Sequence, residues 1–186
     1  MRRLGLIGGL SWESTRLYYD AINRAVAARL GGVHSAPLIV DSLDFAPIAQ
    51  AQAEGRWDDA GAAIVEAAER LHRAGVEAVA IGSNTMHKCA DAVRAAVPLP
   101  LIHIVDPLRE ALAQDGRSHP LLLATRFTME QNHIRAPLAE AGIEASIPAD
   151  EDRATIHRII YDELIRGTMT EASREASVTV PRTSSS

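Results

Sequence analysis

Residues 77–87, EAVAIGSNTMH, carry an apolar run directly into Gly82-Ser83-Asn84-Thr85, where a helical pattern begins. An apolar run of this length is typical of a buried strand, and the glycine and hydroxyl residues mark its end. In an open parallel sheet, ligands bind where the carboxyl ends of strands meet the amino ends of the following helices. The stretch therefore places Ser83, Asn84 and Thr85 at a candidate binding edge, although the same residues equally suit a plain helix cap.

Strand and helix patterns alternate along the remainder of the chain. The expected strands are 4–7, 37–40, 77–81, 101–104, 120–124 and, with a weaker pattern, 144–147. The expected helices are 12–30, 45–54, 57–74, 86–97, 107–114, 128–141 and 151–166. Alternation of this kind predicts parallel strands joined by helical crossovers, and hence an α/β fold with three-layer, parallel-sheet lobes.

The second half of the chain resembles the first in kind. LLLATRFT at 121–128 again leads an apolar strand pattern into hydroxyl residues at a helix start. We therefore expect a first α/β lobe over 1–105 and a partial second lobe over 106–176, which has few strands for an independent sheet. From Ser177 onward, SVTVPRTSSS is rich in serine and lacks helical periodicity, which predicts a frayed or disordered tail over 177–186.

Composition excludes several classes of function. Of 186 residues, 47% are hydrophobic and 23% charged, and a net charge of -5 disfavours nucleic-acid binding. The apolar segment before Gly8 is too short for a signal peptide or a membrane span. Cys89 is the one cysteine, so no intrachain disulfide can form, and its place in an amphipathic pattern favours a packed side chain over a nucleophile. These features predict a cytoplasmic enzyme without nucleic-acid or membrane partners.

A second glycine turn ends the first expected strand. GGLSWEST at 8–15 allows a tight turn in which Ser11 or Ser14 caps a helix, or in which free N–H groups hold a carboxylate or phosphate. It lacks the third glycine of a dinucleotide fingerprint and a following Walker lysine. The seven histidines show no pair at close helical spacing, so we expect no metal centre.

Five blocks taken together resemble the aspartate/glutamate racemase family, and most closely its broad-specificity amino-acid racemase branch. They are LGLIGGLSWEST (4–15), RLGGVHSAPLI (29–39), GSNTMHK (82–88), ATRFTMEQ (124–131) and HRIIYDEL (157–164). The resemblance implies two pseudo-symmetric α/β lobes, no pyridoxal phosphate and no metal. It also implies α-proton transfer between two residues, commonly cysteines, on opposite faces of the substrate Cα.

The resemblance assigns Ser83 to the first catalytic position, where the family commonly has cysteine. It places a small acidic amino acid, aspartate or glutamate, near substrate-binding residues, with the amides of the Gly8-Gly9 turn assisting: Ser11, Gln52, Asn84, Thr85 and Thr125. It also allows a homodimer. The second catalytic cysteine is expected in a later strand, beyond the helix that begins near Thr170, and this chain does not contain it.

We therefore expect a truncated or frame-shifted version of the family sequence. Two alternatives to an active racemase stay open at this point. The chain could be a catalytically inactive remnant or a small amino-acid-binding module, or it could be a hydantoin racemase or an arylmalonate-decarboxylase-like enzyme. Carbon dioxide release would identify the decarboxylase.

Overall fold

The computed structural model describes the backbone of residues 1–183 and the side chains of residues 1–180. The chain divides into two compact units, Met1–His103 and Ile104–Ser186. The boundary expected from sequence lay two residues later, between 105 and 106. Residues 184–186 of the expected tail lie outside the described residues.

The first unit contains a four-stranded parallel sheet. Its strands are β1 (Leu4–Gly8), β2 (Leu38–Ser42), β3 (Ala78–Ile81) and β4 (Leu101–Ile102), in the order β2-β1-β3-β4. In the register of β1 with β3, Leu4 pairs with Ala78 and Ile7 with Ile81. The carboxyl ends of these two strands are therefore adjacent, and the predicted α/β class with a parallel sheet is confirmed.

Four helices belong to the same unit, and all but the first contribute to one continuous apolar core with the sheet. They are α1 (Trp12–Leu30), α2 (Phe45–Ala53), α3 (Trp57–Arg73) and α4 (Ala90–Ala96). Helix α3 buries a single face at helical spacing, formed by Ala60, Gly61, Ile64, Ala67, Ala68 and Leu71. That face packs with Ile7, Val79 and Ile81 of the sheet in the largest apolar cluster. The core thus fixes β1 and β3, whose ends carry the candidate site.

The predicted helix over 86–97 is divided in two. A 3₁₀ helix spans Thr85–Cys89, and α4 follows it directly. In the first turn the His87 N–H donates to the Asn84 carbonyl at 3.2 Å, an i to i−3 bond. Over one turn, 3₁₀ and α patterns place apolar residues almost identically, so sequence periodicity does not separate them.

The second unit is mostly helical. Its helices are α5 (Val105–Gln114), α6 (Arg126–Glu130), α7 (Asn132–Ala139), α8 (Asp150–Asp162) and α9 (Glu171–Thr183), with a 3₁₀ turn over Leu164–Arg166. The expected helix over 128–141 is interrupted because Gln131 has an extended backbone, with φ -101° and ψ 159°. The expected helix over 151–166 ends as an α-helix at Asp162.

The strands predicted over 120–124 and 144–147 are reduced to one parallel bridge, between Leu121 and Ser146. The Leu122 N–H donates to the Ser146 carbonyl at 2.9 Å, and the Ser146 N–H donates to the Pro120 carbonyl at 3.0 Å. Pro120 and Pro148 flank the bridge, and neither has an N–H with which to extend a ladder. The prediction of two strands over these residues is therefore wrong, and a single bridge stands in their place.

The frayed tail expected from Ser177 differs from the structure, in which α9 continues to Thr183. The start of α9 is held by Glu163, whose carboxylate accepts from the Thr170 N–H at 2.6 Å and from Ser173 Oγ at 2.5 Å. Val180 is 4% exposed and packs in an apolar cluster with Ala124, Met129 and Ile156. These are distant contacts, so local composition did not reveal them.

Across the described residues, none of the helices combines the length and apolar character needed to span a membrane.

Candidate functional site

The candidate site lies in the first unit, at the adjacent carboxyl ends of β1 and β3. The Gly82 N–H donates to the Ile7 carbonyl at 2.8 Å, so the two strands remain paired up to the point where both chains turn away. Ser83 follows and is half-buried, while Asn84 is exposed. The sequence prediction that polar residues meet at this edge is therefore consistent with the sheet order.

The turn after β1 is built on Gly9. Its φ is +77°, and a Cβ there would overlap the backbone nitrogen and carbonyl oxygen of Leu43, so only glycine fits. The Gly9 N–H donates to Thr15 Oγ1 at 2.8 Å, and that hydroxyl donates to the Ser11 carbonyl at 3.0 Å. The Gly9 N–H thus has a partner within the chain, and assistance of a substrate by the amides of the Gly8-Gly9 turn stays a prediction.

Ser11 is the N-cap of α1. Its Oγ accepts from the Ser14 N–H at 3.3 Å and lies 3.3 Å from Ser14 Oγ, and the residue is 3% exposed. The peptide bond that joins it to Leu10 is cis. The capping role considered from sequence is thus present. Contact between Ser11 and a substrate stays a prediction.

Ser83 places a hydroxyl group at the end of β3, where a bound molecule could contact it. Its Oγ accepts from the Met86 N–H at 3.4 Å, and its carbonyl lies 2.7 Å from Nδ1 of His87. Among residues 1–183 the hydroxyl makes no other hydrogen bond, so its proton is uncommitted. A hydroxyl that receives one N–H and keeps its own proton can donate to, or accept from, a bound molecule.

Asn84 and Thr85 follow Ser83 into the 3₁₀ helix. The Asn84 side-chain amide is exposed and makes no hydrogen bond within the described chain, so one acceptor and two N–H donors face solvent at the strand tip. Thr85 is 5% exposed and begins the helix. Of the two, Asn84 is the side chain a ligand could reach without rearrangement.

Gln52 reaches this region from α2. It is 2% exposed, and its Nε2 donates to the sulfur of Met86 at 3.0 Å. Since Met86 also supplies the N–H that binds Ser83, Gln52 connects α2 to the residues around the predicted catalytic position. Contact between the buried amide of Gln52 and a substrate stays a prediction.

Two buried histidines lie behind the strand tip. His87 and His103 are 3% and 7% exposed, and their rings meet edge to face with centroids 4.7 Å apart. His87 is the last residue of the stretch 77–87 that predicts the candidate edge, and His103 lies outside that stretch. His103 directly follows β4, so a polar residue after an apolar strand was the signal that could have found it.

Cys89 is buried in the core of the first unit, as its sequence pattern predicted. A Cβ placed on Gly61 would lie 3.3 Å from the Cys89 sulfur, so the thiol fills the space that this glycine leaves. Burial raises the pKa of the thiol, outweighing the opposing effect of nearby Lys88. A buried thiol with a raised pKa is a poor nucleophile.

Thr125 lies in the second unit, whereas the other five predicted site residues lie in the first. It is the N-cap of α6 and accepts from the Thr128 N–H at 3.4 Å.

His157 contacts the start of the same helix. The Arg126 N–H donates to Nδ1 of His157 at 3.3 Å. Burial, followed by the charge of Arg126, lowers the pKa of His157, and burial raises that of Tyr161 to about 12.

Comparison with known proteins identifies the family. The sequence model of the family described as Asp/Glu/Hydantoin racemase matches residues 7–182. The chain belongs to this family. Membership of this family supports a racemase-type function.

Solved structures agree with that assignment. The chain is similar to the "putative Asp/Glu Racemase" of Yersinia pestis, with 48% identity and a TM-score of 0.86 over 97% of this chain and 79% of that one. It is also similar to an aspartate racemase homologue of Pyrococcus horikoshii OT3, with 34% identity and a TM-score of 0.74 over 90% and 74%. A Picrophilus torridus aspartate racemase shares the fold, with 18% identity and a TM-score of 0.75 over 97% and 74%.

Proposed function

We propose that the protein is a cofactor-independent amino-acid racemase of the aspartate/glutamate type, in which Ser83 transfers the α-proton on one face of the substrate. The observation that carries the proposal is the Ser83 hydroxyl: it is half-buried at the end of β3, beside the end of β1, and its proton is uncommitted among residues 1–183. Membership of the racemase family supports this class of reaction.

Proton transfer at Ser83 would break the bond between Cα and its hydrogen. The alkoxide form of Ser83 is the base: the electron pair of the C–H bond stays on the substrate, delocalised into its carboxylate, and the proton goes to the alkoxide oxygen to give the hydroxyl. The hydroxyl form carries out the reverse step, in which the O–H bond breaks, Cα takes the proton with the electron pair of the carbanion, and the negative charge returns to the serine oxygen. An alkanol is a weak acid and a weak base, so charge stabilisation is needed. The Met86 N–H, 3.4 Å from Oγ, is placed to stabilise negative charge on that oxygen. Inversion requires a second group on the opposite face.

Substrate recognition is assigned to the neutral polar groups near the strand tips. We assign the exposed Asn84 amide to a substrate carboxylate, because it offers two N–H donors that the described chain leaves unpaired. The remaining binding residues of the proposal are Ser11, Gln52, Thr85 and Thr125. Aspartate and glutamate are the proposed substrates.

A homodimer is part of the same proposal. Helix α1 buries only Thr15, and several large apolar side chains elsewhere on it are 48% to 62% exposed: Trp12, Leu17, Tyr19 and Leu30. Apolar surface of this kind is commonly covered by a partner. Light scattering during size exclusion gives the oligomeric state directly.

A binding module is the second candidate. The single hydrogen bond of Ser83 Oγ within residues 1–183 comes from a backbone N–H, so no side-chain base is in place to activate the hydroxyl. A protein that holds an amino acid at these strand tips without breaking a C–H bond would show the same geometry. Calorimetric binding of aspartate or glutamate without α-proton exchange would identify it.

The deciding experiment follows α-proton exchange of L- and D-aspartate and glutamate in D₂O by NMR. We expect exchange in the native protein and its loss in Ser83→Ala. Ser42→Ala is the matched control, because Ser42 is exposed at the end of the neighbouring strand β2. Exchange that survives in Ser83→Ala would overturn the assigned role. Exchange with inversion would indicate a complete two-faced site, and exchange without inversion a single acting face.

A further inference from the structure

The hydrogen bond between His87 and Ser83 fixes which ring nitrogen carries a proton. Nδ1 of His87 lies 2.7 Å from the Ser83 carbonyl oxygen. A carbonyl oxygen can only accept, so Nδ1 must carry the hydrogen. The distance is at the short end of the usual range for such a bond. The imidazole is therefore a donor to the backbone at this point.

The bond acts on the peptide that joins Ser83 to Asn84. The ring of His87 binds the Ser83 carbonyl, which belongs to that peptide, and the backbone N–H of His87 binds the Asn84 carbonyl of the next peptide at 3.2 Å. The direction in which the Ser83 and Asn84 side chains leave the backbone depends on this peptide. A single residue thus holds two consecutive carbonyls of the candidate site.

The His87 ring is itself held in place. It is 3% exposed, and the ring of His103 meets it at an interplanar angle of 80° with centroids 4.7 Å apart. Edge-to-face contact at this distance is a favoured arrangement for aromatic rings. His103 follows β4, which pairs with β3, so the sheet determines where the supporting ring lies.

We infer that His87 is a positioning residue for the candidate site: its Nδ1–H orients the peptide between Ser83 and Asn84, and His103 sets the plane of the His87 ring. The consequence for turnover rests on the proposed function. The orientation of the turn does not, because it follows from the hydrogen bonds alone.

Two variants separate the donor from the bulk of the ring. His87→Asn places an N–H donor near the position of Nδ1, whereas His87→Leu removes it. We expect His87→Leu to speed amide hydrogen exchange at Ser83, Asn84 and Thr85 by roughly fivefold, the loss expected for one net hydrogen bond. His87→Asn should stay close to the native rate. The control is His72→Leu, on the exposed side of α3.

The second measurement is α-proton exchange with aspartate. Misplacement of a catalytic group lowers turnover more than binding, so we expect kcat to fall roughly tenfold or more in His87→Leu, with a smaller rise in KM because Asn84 moves with the same peptide. His87→Asn should recover most of this loss. Equal defects in both variants, or unchanged amide exchange in His87→Leu, would overturn the inference.

The native protein provides a test that needs no variant to fold. The ¹⁵N shifts of the imidazole should show the proton of neutral His87 on Nδ1, and the Nε2–H tautomer would contradict the inference. If no native exchange of the α-proton is seen, the proposed function fails, while amide exchange at Ser83 to Thr85 still decides whether His87 positions the turn.

Discussion

Thr15 Oγ1 receives the Gly9 N–H at 2.8 Å and donates its own proton to the Ser11 carbonyl at 3.0 Å. One side chain thereby closes the turn between β1 and α1 from both sides. Thr15 is 8% exposed, so neither bond is easily replaced by water. The geometry of the glycine turn depends on this hydroxyl rather than on a bound ligand.

Removal of the Thr15 hydroxyl should destabilise the first unit. Thr15→Val keeps the shape of the side chain but leaves the buried Gly9 N–H without a partner, which costs about 1–3 kcal/mol. Thr15→Ser keeps the hydroxyl and loses one methyl group, about 1 kcal/mol. Urea unfolding of both variants measures the two costs. A Thr15→Val protein as stable as the native one would show that this hydroxyl does not hold the turn.

The strands of the first unit could be predicted because each apolar run ends at residues that favour a turn. Gly8 and Gly82 mark two of these ends, and the predicted runs over 4–7 and 77–81 agree closely with β1 and β3. The local pattern thus predicted the two strand tips, whereas their adjacency follows from the strand order, which the sequence did not predict.

Distant contacts account for what the sequence did not predict. Helix α9 begins where Glu163 binds Thr170 and Ser173, and the pattern from Ser177 onward contains no sign of that carboxylate. The contact of His87 with the Ser83 carbonyl belongs to the same class, since the orientation of the His87 ring depends on His103, which follows β4. Residue types in the sequence were enough to identify a candidate edge. Which donors and acceptors are already paired with each other within the chain is seen only in the three-dimensional structure.

Replacement of Ser83 by cysteine should raise α-proton exchange. A thiol is far more acidic than an alkanol, and the Met86 N–H at this position would stabilise a thiolate as it would an alkoxide. We expect at least a tenfold increase in the rate of deuterium incorporation into aspartate, or about 1.4 kcal/mol of barrier. Ser42→Cys, in the exposed position at the end of β2, is the matched control. A slower rate in Ser83→Cys than in the native protein would argue against proton transfer at this position.

Gln52 should affect substrate binding more than stability. Gln52→Met retains the length of the buried side chain but removes the amide, and the loss of a hydrogen bond to a carboxylate is worth about 1.5–3 kcal/mol. Calorimetry should therefore show aspartate binding weakened by about 10- to 100-fold. Gln50→Met, on an exposed position of the same helix, should bind normally. Unchanged binding in a folded Gln52→Met protein would remove Gln52 from the proposed site.

Cys89 should react slowly and should be dispensable for turnover. Its pKa is raised by burial, so the reactive thiolate is scarce at neutral pH. A disulfide reagent should label the native protein much more slowly than the urea-unfolded chain at the same pH. Cys89→Ala should leave α-proton exchange unchanged and lower stability by about 1 kcal/mol, since it empties space beside Gly61. Rapid labelling of the native thiol, or loss of exchange in Cys89→Ala, would contradict a purely structural role.

His157 should make stability fall in mildly acidic solution. Its pKa in the folded protein lies below the ordinary value of 6.5, because burial and then the charge of Arg126 disfavour the protonated ring. The unfolded chain therefore binds the proton more strongly, and stability decreases as pH falls from the ordinary pKa towards the folded one.

The ring is partly exposed, so screening by solvent keeps the effect small. In His157→Gln this part of the pH dependence should vanish, so the difference in unfolding free energy between variant and native protein should change across about pH 5 to 7.5. His34→Gln, in an exposed loop, is the matched control. The opposite sign, with the native protein gaining stability relative to His157→Gln as pH falls, would mean that Glu130 and Asp162 outweigh burial at this ring.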